Sequence, residues 1–313
     1  MTSNLNYRKI ALYLVLSFGL SALGYFLPDL FLSDENLLLP LAKLVMYSWG
    51  PAFAVLVVQK LIYQESMAKY GWNRKRYSLR WIALSVFGPI LVVLGTLGTI
   101  FLLGNGLQVP GFGEVILSLD GQSEWLMPYA SSWFGFSWIA PMIPPDMLNL
   151  LVLLILVGLI GGATFSLIYL SGQEVGFRGF LLAETRSLGF LGSNLVIGGI
   201  YGLWQLPLIF FSQPQALVNV DWMFAILAVF GFSIAVSFPA AWLTIRSRSI
   251  YASATFLGVM GNLAPLSFFF TYDVHPLIGS TTGFAGMLTL LAITFLIIRF
   301  DRLMGEDYDK WVF

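Results

Sequence analysis

Eight stretches of this chain are each long enough and apolar enough to cross a lipid bilayer, and little sequence is left over for anything else. A hydrocarbon core about 30 Å thick needs roughly 20 mostly apolar residues per helix. Such runs fall at about residues 10–27, 40–60, 81–103, 148–171, 192–211, 222–245, 250–271 and 282–299. Of 313 residues, 58% are hydrophobic and 10% charged, against about 45–50% and about 25% in a soluble domain. One water-soluble core of this length cannot bury so much apolar surface. Inside lipid the backbone must satisfy its own hydrogen bonds, which leaves helices for segments of this kind. The expected fold class is all-α, a polytopic transmembrane helical bundle of about eight helices forming a single membrane domain over residues 1–313. Arg8 and Lys9 precede the first run, as they would in a cleaved signal sequence. No small-x-small cleavage site follows, and the run continues into Tyr25, Phe26 and Leu27, so a retained helix is expected.

Charge tests the assignment independently. With both termini in the cytoplasm, 15 of the 16 Lys and Arg residues fall on the cytoplasmic side, from Arg8 and Lys9 through Lys60 and Arg80 to Arg299, Arg302 and Lys310. The exterior segments carry Asp29, Asp34, Glu35, Glu114, Asp120, Glu124, Asp146, Asp221 and Asp273. Orientation follows the Lys and Arg bias, to which acids contribute little, and a missed helix would scramble the alternation. Lys43, the exception, is expected to snorkel from the second helix to the interface. The basic loop 61–80 is ordinary positive-inside bias or a surface for anionic headgroups. The exterior segment 105–146 gathers Trp125, Tyr129, Trp133, Phe134, Phe136 and Trp138, as an element lying in the interface does. No internal repeat of the transporter kind is visible.

Cysteine is absent and His275 is the lone histidine. Disulfides, thiolate metal sites and cysteine nucleophiles are thereby excluded, and no metal, other cofactor or nucleic-acid partner is expected. Polar groups within membrane helices are costly and mark candidate sites. Three places qualify. Glu174 and Arg178 lie four residues apart, on one helical face where they can pair, with Gln173 rotated about 100° from Glu174. Tyr201 to Pro207 brings Gln205 into the fifth run, after Gly198 and Gly202, whose spacing admits a neighbouring backbone. Gly258 to Asn262 lies in the seventh run. Taken singly, the ion pair can satisfy itself near the cytoplasmic surface, and Gln205 and Asn262 can serve as interhelical glue.

Order and spacing together resemble the CAAX protease and bacteriocin-processing family of intramembrane endopeptidases. Gln-Glu-x-x-x-Arg at 173–178, Tyr-x-x-x-Gln at 201–205 and Gly-x-x-x-Asn at 258–262 follow the family's Glu-Glu-x-x-x-Arg, Phe-x-x-x-His and His-x-x-x-Asn. The flanks Val-Gly-Phe-Arg-Gly-Phe-Leu-Leu at 175–182, Gly-Leu-Trp-Gln-Leu-Pro at 202–207 and Trp-Gly-Pro-Ala-Phe-Ala at 49–54 are similar too. The resemblance divides the chain into helices one to three with the exterior segment (1–147), a protease-like core (148–300) and a cytoplasmic tail (301–313). It implies that the first glutamate and first histidine activate water while the second histidine and the asparagine stabilise the oxyanion. Here Gln173, Gln205 and Gly258 stand at the first three of those positions, and Glu174, Arg178 and Asn262 survive. An amide does not accept a proton near neutral pH. Losing base and oxyanion donor together forfeits several factors of about 10²–10³.

The expectation is therefore a CAAX-protease-like membrane protein, a noncatalytic pseudoprotease holding a membrane peptide or partner membrane protein in a prokaryotic plasma membrane. An endopeptidase using Glu174 in altered geometry and, more remotely, a lipid or small-solute transporter are the alternatives. His275 is expected in an exterior loop, away from Glu174. Glu174 and Gln205 are separated in depth, so for them to meet the helices must tilt, or the fourth must run past its hydrophobic span.

Overall fold

In a computed structural model, residues 5–33, 35–67, 78–116, 147–212 and 222–301 are described. The aromatic run from Trp125 to Trp138, most of the basic loop and the tail beyond Asp301 lie outside them. The chain forms α1 (Tyr7–Phe26), α2 (Leu39–Leu56), α3 (Leu79–Ile100), β1 (Glu114–Val115), α4 (Met147–Leu156), α5 (Phe165–Glu174), α6 (Gly189–Ser212), α7 (Trp222–Ser247), α8 (Ile250–Leu263), α9 (Leu266–Phe269), β2 (Thr271–Tyr272) and α10 (Phe284–Phe300). Several helices continue in wider π-turns, Val57–Ile62 after α2, Phe101–Gly106 after α3, Val157–Gly161 after α4 and Val175–Leu181 after α5.

The outward and inward faces carry opposite residue types from those of a soluble protein. Leu23, Leu91, Leu94, Phe101, Leu227 and Phe295 are exposed, while Ser17, Ser85, Thr96, Ser166, Ser237 and Thr244 are buried. Large apolar side chains facing out and small polar ones at helix crossings are what lipid as a solvent selects. The protein is an integral membrane protein with a helical bundle. Six helical stretches of 20 to 28 residues are long and apolar enough to cross, among them Tyr7–Leu30 and Ile250–Phe269. A seventh is counted when Leu148–Gly161 and Phe165–Glu184, bent by 47°, form one crossing, and Phe284–Phe300 is a shorter apolar helix of 17 residues.

The bend has a local cause. A π-turn ends at Gly161, Gly162 follows it, and the Thr164 hydroxyl donates to the carbonyl of Ile160 at 2.6 Å. Each of these features loosens or tilts a helix. Beyond the bend the helix runs to Glu184, well past the apolar run that ends near residue 171. This is the extension that an encounter between the fourth and fifth runs requires.

Helix α8 lies innermost, with every residue from Ile250 to Met260 buried. It packs on α3, α5 and α7; α1 packs on α2, α2 on α5, α6 on α7, and α10 on α3 and α7. Close crossings use glycine. A Cβ at Gly198 would lie 2.5 Å from the Ile234 Cα, and one at Gly202 3.3 Å from the Phe230 Cα, so α6 meets α7 along the expected face. Two short strands depart from a wholly helical reading: β1 and β2 pair antiparallel, with Glu114 opposite Tyr272 and Val115 opposite Thr271. Two residues per strand carry no period to read.

The charged ends of the bundle are tied. Lys9 is 3% exposed and bridges Glu65 at 3.1 Å and Glu184 at 3.0 Å. Lys43 pairs with Asp29 at 2.6 Å and stands 4.9 Å from the Tyr25 ring centroid. Its charge is therefore matched by a carboxylate at its own end.

Candidate functional site

Glu174 closes α5 and Arg178 lies in the π-turn that follows, so the two sit where the backbone widens. Their side chains meet, Arg178 Nη1 donating to Glu174 Oε1 at 2.7 Å. Both residues are 0% exposed, so the pair lies inside the bundle rather than near its surface. The glycines explain how α5 comes so close to α1 and α2. A Cβ at Gly172 would lie 2.8 Å from the Ser48 carbonyl oxygen, and one at Gly176 would meet the Tyr13 hydroxyl and stand 2.5 Å from Pro51.

Around the pair stands a small polar shell. Gln173 Nε2 donates to the Tyr201 hydroxyl at 3.1 Å, and the Arg178 guanidinium stacks over the Tyr201 ring at 4.8 Å. Ser253 of α8 lies beside the Glu174 carboxylate, but its own proton goes to the Ile250 carbonyl at 3.0 Å. Arg178 Nε and Nη2 donate to no hydrogen-bond acceptor. Phe177, Tyr201 and Trp204 form an aromatic wall, with Phe177 5.0 Å from Tyr201 and 5.4 Å from Trp204. Trp204 is fixed by its indole donating to the Ser21 hydroxyl at 2.8 Å and by its carbonyl accepting from Tyr47.

The other motif residues lead elsewhere. Gln205 Nε2 points to Ser233 of α7 at 3.4 Å. Asn262 Nδ2 donates to the Ser166 hydroxyl at 2.9 Å and to the Gly258 carbonyl at 2.7 Å. An amide nitrogen has two protons, so both donors are engaged. Gly258 is where α8 crosses the bend and the start of α5: a Cβ there would lie 2.5 Å from the Gly162 carbonyl oxygen and 3.0 Å from the Ser166 Cβ. His275 accepts from the Leu277 amide through Nδ1 at 3.3 Å, and its ring packs edge-on to Phe224.

The structure thus gathers Gln173, Glu174 and Arg178 with Tyr201, and adds Tyr13 and Ser253, which motif reading did not select. A faint signal existed for Tyr13, which with Ser17 and Ser21 forms a polar row at four-residue spacing on the first helix. Gln205, Gly258 and Asn262 make their contacts with other partners. As an acid–base device the shell has one carboxylate, held by an arginine, and no imidazole. Among the described residues no group of three His, Asp or Glu side chains could hold a metal ion.

Fold and shell together define a polytopic helical membrane protein with a buried ion pair at the centre of its bundle. No protein-family model matches the sequence, and a search of curated proteins finds no match.

Proposed function

We propose that this chain is a degenerate CAAX-protease-like protein that binds a membrane peptide or the membrane segment of a partner protein without cutting it. The observation that carries the reading is the Glu174–Arg178 pair. The surviving carboxylate is held at 2.7 Å by a guanidinium in full burial, where no histidine accompanies it. A general base needs a free proton-accepting oxygen and a suitable partner. An oxyanion hole needs free donors, and both Asn262 donors are engaged. Arg178 retains two donor nitrogens, Nε and Nη2, without an acceptor, and a peptide carbonyl entering the bundle beside Tyr201 would engage them. We place eight helices across a plasma membrane, counting the bent pair and α10 as one crossing each, with both termini on the basic, cytoplasmic side.

Purified protein in nanodiscs, given fluorescent membrane peptides, should bind without cleaving them. Cleavage that disappears in Glu174→Ala would overturn the proposal, and absence of any binding would remove its second half. One observation favours an endopeptidase instead: Glu174 Oε2 has no hydrogen-bond donor. That reading requires turnover in the wild type and none in a folded Glu174→Gln variant.

A further inference from the structure

On the face formed by α3, α7 and α10, with Phe256 of α8 at its base and away from the ion pair, an apolar groove of about 540 Å³ runs along the bundle. Its α3 wall is the stripe Leu84, Gly88, Leu91, Gly95 and Thr99, and its α10 wall includes Leu288, Ala292 and Leu296. It opens sideways, with Leu91 63% and Leu296 52% exposed. The far end is closed where Thr99 and Thr289 hydrogen-bond at 3.1 Å. A shallower depression of about 590 Å³ shares Leu84, Gly88 and Leu91 and continues to Arg80.

The basic end supplies the second half of the recognition. Arg80 lies four residues before Leu84 on the lining stripe, and Arg299 lies three residues after Leu296 on the other wall, so both walls end in an arginine. Neither arginine has an ion-pair partner among the described residues. Arg80 stands over Trp81 at 5.3 Å, and Trp81 packs edge-on to Trp242. Trp242 in turn donates to Asp301 at 2.8 Å, and Arg246 pairs with the same carboxylate. Tryptophan beside arginine is the composition of the headgroup level.

We infer that this groove binds one acyl chain of an anionic phospholipid, with the lipid phosphate between Arg80 and Arg299. From Leu84 to Thr99 the wall is about 22 Å long at about 1.5 Å per residue, whereas half of a hydrocarbon core is about 15 Å. A full chain therefore fits. Gly88 keeps the groove open, since a Cβ there has nothing nearer than Phe256 at 3.7 Å.

The test uses full-length protein, delipidated in detergent and given equal amounts of palmitoyl-oleoyl phosphatidylglycerol and phosphatidylcholine, with bound lipid read by native mass spectrometry. Wild type should retain a single phosphatidylglycerol in about tenfold preference: both headgroups carry the phosphate, but the choline cation of phosphatidylcholine offsets the attraction of the two arginines, which is itself partly screened. Arg80→Gln with Arg299→Gln should abolish the preference. Gly88→Phe, and independently Ala292→Phe, should lose both lipids, each compared at unchanged melting temperature in detergent. Equal retention of the two lipids by wild type would overturn the inference. So would phosphatidylglycerol held at wild-type level by whichever groove-filling variant melts normally. If both groove-filling variants melt early, a Leu91→Trp variant on the exposed rim replaces them under the same two criteria.

Discussion

Arg178 sets the chemistry of the bundle centre more than any other residue. Removing two charges from water is expensive, and their mutual attraction offsets the expense only while both are present. Arg178→Met leaves an uncompensated carboxylate buried in the bundle and should lower stability by about 3–5 kcal/mol, measured by denaturant unfolding in detergent micelles. Glu174→Leu combined with Arg178→Met should recover most of that loss. If the double variant were as unstable as the single one, the pair would not be the structural unit inferred here. The pairing itself was legible, because a four-residue spacing places two side chains on one face. Its depth was not, because hydropathy ends the fourth run near residue 171 while the helix continues through a π-turn to Glu184. Tyr201 was legible only as a letter in a motif. That it stands over Arg178 depends on how α6 turns against α5.

Among the elements, the crossing of α5 and α8 decides what the third motif can do. Gly158 and Gly162, just before α5, and Gly258 on α8 bring the backbones together so closely that Gly258 has no space for a side chain. Gly258→Ala should therefore cost about 1–3 kcal/mol by overpacking. Gly261→Ala, on the same helix with nothing within 4 Å, should be neutral or gain about 0.5–1 kcal/mol from helix propensity. Thermal unfolding of the two variants side by side checks the contrast. A tolerated alanine at Gly258 would show that the helices can part there, and would restore room for a larger group. Sequence alone marks both glycines as small residues in one helix. Only the partner backbone distinguishes the one that is pressed from the one that is open.

For the molecule as a whole, the composition supplies a probe of orientation. With no native cysteine, a single engineered thiol reports one position without background. Lys60→Cys, at the basic end, should react with a membrane-impermeant maleimide only after cells are opened. Glu35→Cys, at the opposite end, should react in intact cells. The reverse pattern would invert the proposed topology, and labelling of both in intact cells would refute a crossing between them.

The membrane class was determined by the sequence by itself, because apolar length and charge alternation are additive along a chain and need no knowledge of contacts. The helical runs and the ion-pair spacing follow for the same reason. Three features were decided only in three dimensions: the bend at Thr164 that carries Glu174 into the core, the engagement of both Asn262 donors, and the arginine-ended groove between α3 and α10. Each depends on which face of one helix meets which face of another. In a membrane both faces are apolar, so the stripe that would reveal the packing face of a soluble helix is nearly erased, and small residues at the crossings take over its role.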